Sequence, residues 1–472
     1  MQLERFFMGR IYPVTVLILV LLGYVLGLEF YFNIISICAL CVGLAVSHSI
    51  RPLIVVLLSY VYQLHKNHCP ALPANSDYYF TRPRVGVVVL LFVFVGVALI
   101  YFLVSNRCIT WQTLSSMPMK LPAAIMSLAF LANGAFGGDY TLASLAYGAI
   151  QIVAFFVVFY VFYLGFKNED GGSLLEYFVY VSTLVALLLV VETGYVYVSN
   201  DVIVEGIADK GEIEYGWGIS NTAGQLMTAL IPIIFVGAVR SKYASLLYFG
   251  AASVTLVATV LTMSRSAILF ALPIYLICCF IACFFGEHKR QFRVITVLGS
   301  FAAAFFAVKL WSKLTVFFEQ LLERGLTDAG RFDLWEYAMD SFRQAPIFGK
   351  GFFGLHTDTY VVAEFFPEMM HSTPFQLLAA MGVVGLVAYA YYRLETVKLF
   401  IDYPSLSKTL VGISLLSLLG QSLLDNFIFY VQPMFHYSVA LAIVCKINDD
   451  KAWRARRAEP IRLKLDGRAL GK

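Results

Sequence analysis

Long apolar runs recur along almost the whole chain, and they constrain its fold more than any other feature of the sequence. Each run is close to the roughly 20 residues that an α-helix needs to cross a bilayer. Hydrophobic residues make up 60% of the chain and charged residues only 14%, which excludes an ordinary soluble globular protein. The sequence therefore predicts an all-α, polytopic integral membrane protein that forms one membrane domain over residues 1–472.

Twelve segments are long and apolar enough to predict membrane-spanning helices. Two further apolar segments, 52–63 and 121–137, are short and fit re-entrant, interfacial or tilted helices. The first predicted span follows Arg5 and Arg10 without a small-residue cleavage site, which favours an uncleaved helix over a signal peptide. The predicted spans are residues 11–28, 30–46, 85–104, 141–166, 174–193, 220–239, 243–263, 266–285, 293–310, 374–392, 408–424 and 428–445.

The distribution of lysine and arginine between the spans predicts their orientation. Residues 446–472 form a basic tail, and three loops between the later spans carry basic residues on the same side, which we predict to be cytoplasmic. The opposite side receives two longer polar stretches, 194–219 and 311–373. If neither short segment crosses, the chain has about 12 spans with both termini cytoplasmic, and the loop with Lys66, Arg82 and Arg84 favours this for 52–63. Residues 311–373 are then a large extracytoplasmic loop.

The long loop has helical periodicity of its own. Bulky apolar residues recur at positions 332, 335, 339 and 342, which predicts a short amphipathic helix lying at the bilayer surface with Trp335 at headgroup depth. Pro346 and the glycines that follow it end this helix. Thr373 then predicts an N-cap, with Pro374 at the first position of the next helix. His371 is therefore expected just ahead of the N-terminus of a spanning helix.

Two arginines are candidates for anion binding. Arg265 lies between Ser264 and Ser266 at the start of an apolar segment. It either anchors the helix to lipid headgroups or grips a phosphate with its planar guanidinium group, beside backbone N–H groups that also favour anions. Arg331 begins the amphipathic helix, where a cation is mildly unfavourable for the helix dipole. It is either a solvated surface charge or a ligand of an anion at the same place.

His371 is the candidate general base. Histidine is the usual base near neutral pH, although a lone histidine is more often structural. A base next to a pair of phosphate-binding arginines suits attack by a sugar hydroxyl. His356, in a glycine-rich part of the same loop, is the second choice for the base, and His436, inside a span, is better explained by packing or a structural hydrogen bond.

Several familiar motifs are missing from the sequence. There is no P-loop, dinucleotide fingerprint, HExxH motif, paired-cysteine metal site or convincing Asp-x-Asp cluster. Most of the eight cysteines lie inside apolar runs without metal-ligand spacing. We therefore expect no metal, no cofactor and no nucleic acid. Because nucleotide sugars are not available outside the cytoplasmic membrane, a transferase acting there needs a donor already activated on a lipid.

At this point the chain resembles the O-antigen ligase/polymerase superfamily of bacterial membrane glycosyltransferases. The resemblance covers roughly residues 215–445 and is strongest from 264 to 390. Its marks are Ser264-Arg265-Ser266-Ala267, Gly330-Arg331 with Trp335 four residues on, Pro346-Ile347-Phe348-Gly349-Lys350-Gly351, and His371 ahead of Gln376-Leu377-Leu378 and of the glycine-containing segment 381–386. Many members have asparagine after the histidine, whereas Ser372 stands here, which leaves the acceptor preference open.

The resemblance implies a helical core of the GT-C type and a metal-independent, inverting transfer in the bacterial cytoplasmic membrane. It implies a glycan donor on undecaprenyl diphosphate, a glycan or lipid-linked acceptor, contact with membrane lipids, and flippase and chain-length partners. By their match to the family's motifs, His371 is the expected catalytic base, and Arg265 and Arg331 are the expected diphosphate ligands. Ser264, Ser266, Trp335 and His356 are expected to support them.

Three functions remain open at this stage. The first is a polymerase that joins lipid-linked repeat units of a capsule, exopolysaccharide or O-antigen. The second is a ligase that moves the finished glycan to lipid A-core or to a protein. The third is a secondary transporter of an anionic solute, for which charged residues near the middle of the bilayer and broken helices in paired repeats would be typical. A non-catalytic lipid-binding or assembly protein is a further alternative.

Overall fold

The computed structural model of the protein is built almost entirely of α-helices, as the sequence predicts. It describes residues 2–60, 82–136, 140–200, 202–204, 207–208, 210–213, 215, 220–309, 311–312, 315–316, 319, 330–355, 369–426 and 429–469. The helices are α1 (Gln2–Met8), α2 (Ile11–Leu26), α3 (Glu29–Val46), α4 (Arg51–Tyr60), α5 (Arg82–Ser105), α6 (Trp111–Ser115), α7 (Lys120–Leu131), α8 (Leu142–Gly165, with a π-helical stretch at Val153–Val157), α9 (Gly171–Ser199), α10 (Ser220–Arg240), α11 (Ser245–Leu261), α12 (Arg265–Phe285), α13 (Lys289–Lys309), α14 (Arg331–Gln344), α15 (Thr373–Ile401), α16 (Leu406–Gln421) and α17 (Val431–Ala469). After α9, β1 (Ile203–Val204) and β2 (Ile207–Ala208) form a small antiparallel ribbon, followed by a 3-10 turn at Lys210–Glu212.

The helices confirm the polytopic membrane class. Eight of those in the described part of the chain are long and apolar enough to cross a membrane, and the bent pair α1–α2 would make a ninth. Each of the twelve segments predicted to span has a helical counterpart. The two short segments correspond to α4 and α7, of 10 and 12 residues. At 1.5 Å per residue α7 does not reach the roughly 30 Å thickness of a bilayer core, and α4 is described only up to Tyr60.

Helix α10 lies at the centre of the part of the fold that carries the predicted site. It packs against α9, α11, α12 and α16, and 94% of its most apolar 18-residue stretch is buried. Gly224 allows the closest approach, because a Cβ there would lie 2.6 Å from Thr262 Oγ1 and 2.8 Å from Ala267 Cβ. The middle of the protein is thus held directly against the start of α12. In helix α13, by contrast, only 6% of the most apolar stretch is buried, so its apolar side chains are available for contact with lipid.

Helix α15, which covers the span predicted at 374–392, is broken in the middle. Gly382 has φ 61° and ψ −158°, a conformation outside the helical region. A break inside an apolar helix frees backbone polar groups, which must find other partners where water is excluded. The segment 346–351 supplies them through four hydrogen bonds, from Val383 N–H to Pro346 O (2.9 Å), Val384 N–H to Ile347 O (3.2 Å), Lys350 N–H to Ala379 O (2.8 Å) and Gly351 N–H to Ala380 O (2.9 Å).

Two glycines make this backbone pairing sterically possible. A Cβ on Gly349 would lie 2.3 Å from the carbonyl carbon of Ala380, and one on Gly382 would lie 2.4 Å from Ile347 O. Both glycines also have positive φ. The motif Pro346-Ile347-Phe348-Gly349-Lys350-Gly351 is therefore a backbone patch that completes the broken helix. Its glycines have a steric reason, and the pairing fixes the direction of the first segment of α15.

Candidate active site

The start of α12 carries the first predicted residues. Ser264 is buried and caps the helix, because its Oγ accepts the N–H of Ala267 at 3.4 Å. Met263 before it has φ 52°, which turns the chain sharply out of α11. Arg265 is the first helical residue and is exposed at the end of the helix, where the helix dipole favours an anion. The predicted helix start is thus confirmed.

The predicted amphipathic helix is present as α14, but its buried face differs from the predicted one. The helix begins at Arg331, after Gly330 with φ 78°. Its buried positions are Leu334, Ala338 and Ser341, which face α15, and the predicted apolar residue Phe332 is 64% exposed. The helical periodicity of the bulky apolar residues predicted that they form the buried face. In the structure the adjacent face, which carries smaller residues, packs against α15, and the bulky residues are partly exposed.

Trp335 has a definite place beside the predicted base. Its indole Nε1–H donates to the carbonyl of Met370 at 3.0 Å. Its ring stacks on Phe375 with 5.0 Å between ring centroids and an interplanar angle of 12°. These two contacts hold the chain on both sides of His371. The role that this geometry gives Trp335 is to position the loop, in addition to any contact with lipid headgroups.

His371 lies in the turn that leads into α15. Its backbone is in the left-handed region with φ 46°, which is uncommon for a residue with a side chain and is seen where surrounding contacts impose it. Helix α15 begins at Thr373, so the N-cap is Ser372 and not Thr373, and Pro374 is the second helical residue. The predicted boundary was wrong by one residue. Ser372 makes no capping hydrogen bond with its side chain, and Thr373 N–H donates to Ser422 O at 2.8 Å.

The partner of His371 is Asp425, which the sequence analysis missed. His371 Nδ1 lies 3.1 Å from Asp425 Oδ1, with the imidazole 38% exposed and the carboxylate 7% exposed. Asp425 follows α16 in the short connection to α17, so 54 residues separate the pair. A signal was available: Asp425 is a lone carboxylate between two apolar spans, and the predicted orientation puts that connection on the same side as His371.

The surroundings of Asp425 keep it ionised. Burial raises the pKa of this carboxyl, but the hydrogen bond and charge of His371, the backbone N–H of Asn426 and the charge of Arg331 together bring the pKa below its usual value. The Asn426 N–H donates to Oδ1 at 2.7 Å, and Gln225 Nε2 lies 3.4 Å from Oδ2. A buried carboxylate with partners at both oxygens is a fixed negative charge beside the imidazole.

Gln225 connects this pair to the start of α12. The same Nε2 also donates to Ser266 Oγ at 3.3 Å, and Ser266 Oγ lies 3.4 Å from Ser264 Oγ. One amide on the central helix α10 therefore joins the Ser264–Ser266 turn to Asp425. The structure brings His371, Arg331, Ser264 and Ser266 to one place through hydrogen bonds and charge, and Arg265 lies between the two serines.

A second amide network supports the His371 turn from below. Gln376 Oε1 accepts the N–H of Met370 at 2.8 Å and the Nδ2 of Asn426 at 2.6 Å. The chain before His371 and the chain after Asp425 are thus tied to the same side chain on the first turn of α15. This arrangement fixes the distance between the two members of the pair.

The other two histidines considered in the sequence are not found in this cluster among the described residues. His356 lies outside the described residues. His436 is buried, its Nε2 lies 3.0 Å from Ser414 Oγ, and its ring packs against Phe178, which agrees with the structural role expected for it. Within the described part of the chain, no group of three or more His, Cys, Asp or Glu residues has the geometry to hold a metal ion.

Comparison with known proteins bears on this site directly. Residues 250–390 match the family model described as O-Antigen ligase, a range that contains Arg265, Arg331 and His371 and covers under a third of the chain. A search of curated proteins gave no match. The matched range and the helical membrane fold agree with the resemblance seen in the sequence, and residues 250–390 are similar to the O-antigen ligase family.

Proposed function

We propose that this membrane protein is a glycosyltransferase that polymerises repeat units carried on undecaprenyl diphosphate. In the proposed reaction, a hydroxyl of one lipid-linked unit attacks the anomeric carbon of another from the face opposite its diphosphate. The new C–O bond forms as the bond to the diphosphate breaks, and the diphosphate leaves with the electron pair. His371 takes the hydroxyl proton. The observation that carries this proposal is the hydrogen-bonded pair of His371 and Asp425.

The pair has the arrangement of a base and its orienting carboxylate. With Nδ1–H donating to Asp425, the other ring nitrogen, Nε2, carries the lone pair and is the atom that accepts a proton. The ionised carboxylate fixes this tautomer and stabilises the imidazolium that forms, as in other histidine–aspartate pairs. Since the imidazole is 38% exposed, a substrate hydroxyl has access to it.

The two arginines supply the charge that the leaving group requires. A diphosphate gains negative charge as the anomeric bond breaks, and fixed cations at that position lower the barrier without a metal ion. Arg265 at the start of α12 and Arg331 at the start of α14 both lie at helix N-termini, where backbone N–H groups add to the positive field. The unfavourable position of Arg331 for its own helix is compensated when an anion binds there.

The similarity to the O-antigen ligase family also admits a ligase, which would use the same donor and base but a lipid A-core or protein acceptor. The test is a reconstitution of the purified protein in vesicles with lipid-diphosphate-linked repeat units from its own host. A polymerase gives a ladder of products from the donor alone. Transfer only after a lipid A-core acceptor is added would replace polymerase by ligase.

The role of His371 is tested in the same assay. His371→Ala is expected to lower the initial rate by roughly 10²–10⁴-fold, the range for a lost general base. The control is His288→Ala, a histidine in the connection between α12 and α13 that contacts Ser241 O. It should retain the wild-type rate. Ordinary turnover by a folded His371→Ala protein would overturn the assignment.

A further inference from the structure

Arg393, on the second segment of α15, has an environment that the proposed reaction does not use. Its guanidinium carbon lies 4.5 Å, 5.1 Å and 4.8 Å from the ring centroids of Tyr389, Tyr392 and Tyr437. Three aromatic faces around one guanidinium group stabilise the cation and hold its plane. The hydroxyl of Tyr389 also interacts with the guanidinium group, but these neutral side chains supply no negative charge to balance it.

The nitrogens of Arg393 are buried without the partners that such a group requires. None of the three nitrogens has a hydrogen bond of ordinary geometry to another described group, and none is accessible to solvent. A buried cation inside an apolar protein is costly unless it is paired, and intramembrane arginines generally are. The position therefore calls for an anion that the described chain does not itself contribute.

A cavity of about 310 Å³ lies beside the arginine, between α15 and α16. Arg393 and Thr373 both line it, and Thr373 Oγ1 is a second buried polar atom without a hydrogen-bond partner among the described residues. Leu416 and Leu423 line the cavity as well, and they are 61% and 54% exposed. Arg393 and Thr373, whose buried donor groups are unused, thus border a cavity that has an apolar rim at the protein surface.

We propose that this cavity binds a phosphate group carried by a membrane lipid. Phosphate oxygens accept hydrogen bonds from both a guanidinium group and a hydroxyl, and the negative charge neutralises Arg393. The apolar rim suits the hydrocarbon chain of the same molecule, whereas a free anion would gain no binding free energy from the rim. Thr373 is two residues from His371 and bonds Ser422 across the cavity wall, so a bound lipid also braces the turn that carries the base.

The experiment uses the full chain purified in maltoside micelles, which contain no phosphate. Binding of phosphatidylglycerol, of a sugar-free polyprenyl diphosphate and of inorganic phosphate is followed by native mass spectrometry and by the shift in thermal unfolding temperature. We expect at least one of the two lipids to bind. We also expect Arg393→Gln to weaken that binding about tenfold, the effect of losing a charge-assisted contact. Thr373→Val is expected to weaken it less.

Arg343→Gln is the matched control, because it removes one positive charge from an exposed ion pair with Asp340 on α14. It should bind both lipids like wild type. If Arg393→Gln does not fold, Leu416→Trp keeps the cation and fills the mouth of the cavity, and it should also abolish binding there. The proposal is overturned if both Arg393→Gln and Leu416→Trp bind lipid like wild type, or if wild type binds inorganic phosphate and neither lipid.

Polyprenyl diphosphate needs one more measurement, because it also suits the proposed reaction site. With two molecules bound per wild-type chain, Arg393→Gln should keep one and Arg265→Gln should keep the other. Loss of both molecules from Arg265→Gln alone would assign the lipid to the reaction site and remove it from the cavity. Phosphatidylglycerol binding that depends on Arg393 and not on Arg265 would support the cavity independently of the reaction.

Discussion

Two buried charges, those of Asp425 and Arg393, have opposite kinds of surroundings in this protein. Asp425 has a partner at each carboxylate oxygen, from His371 and Asn426 on one side and Gln225 on the other. Arg393 has aromatic faces around it and no ordinary hydrogen bond to another described group. The comparison separates a charge whose hydrogen-bond partners are supplied by the protein from one whose partners are not.

The difference has a physical consequence for what each charge does. A buried carboxylate that already has a partner at each oxygen acts through geometry and field on the imidazole beside it. A cation with unused donors next to a cavity gains free energy only when something from outside supplies acceptors. The first environment is typical of a positioning group and the second of a binding site.

The largest effect is expected from removing the charge of Asp425. Asp425→Asn keeps the size of the side chain but presents a neutral amide to Nδ1, so the imidazole loses both its fixed tautomer and the charge that stabilises the imidazolium. We expect the transfer rate to fall by roughly 10²–10⁴-fold with the protein still folded. The control is Asp340→Asn, an exposed carboxylate on α14 paired with Arg343. A rate near wild type for Asp425→Asn would show that His371 acts without it.

The next effect concerns the frame that holds the pair together. Gln376→Leu leaves the N–H of Met370 and the amide of Asn426 without their shared acceptor. Each buried donor left unpaired costs about 1–3 kcal/mol, so we expect the free energy of unfolding to fall by about 2 kcal/mol or more. Thermal unfolding in detergent measures this. Gln344→Leu, at the exposed end of α14, is the matched control and should change stability by no more than about 0.5 kcal/mol.

The same contrast explains how much the sequence could predict. Local signals were sufficient for the helices, because hydropathy and length decide which segments can cross a membrane. They also located the starts of α12 and α14, where a capping serine and a glycine with positive φ precede the helix. The candidate residues that local pattern and family resemblance selected, Arg265 and Arg331, lie at those starts.

What the sequence could not predict depends on contacts between distant segments. The pairing of His371 with Asp425 joins two turns of the chain, and no local pattern marks it. The break at Gly382 is hidden inside an apolar run that reads as one helix, because its freed backbone groups are satisfied by residues 346–351. The buried face of α14 was set by α15 in the same way. Each of these features is decided by tertiary hydrogen bonds or packing.

A smaller effect is expected at Trp335, which holds the turn from the side of α14. Trp335→Phe keeps an aromatic ring over Phe375 but removes the hydrogen bond to Met370 O. We expect a loss of about 0.5–1.5 kcal/mol of stability and a rate up to about tenfold lower, because the position of His371 is less fixed. Phe332→Leu changes an exposed neighbour on the same helix and is expected to have little effect on either measurement. Equal losses in the two variants would remove the positioning role of Trp335.

The smallest effect is a pH dependence of the unfolding temperature that should come from Asp425 and not from Arg393. Because the pKa of Asp425 is lower in the folded protein than in the unfolded chain, its carboxylate contributes stability that is fully present above the ordinary value of about 4. That contribution is lost as the pH falls through the lower, folded value. The difference in unfolding temperature between wild type and Asp425→Asn should therefore stay constant between about pH 8 and pH 5 as far as the carboxyl is concerned, and shrink only in stronger acid. A difference that shrinks already near pH 6 would contradict the lowered pKa of Asp425 and show that this carboxylate is not a fixed charge in the folded protein.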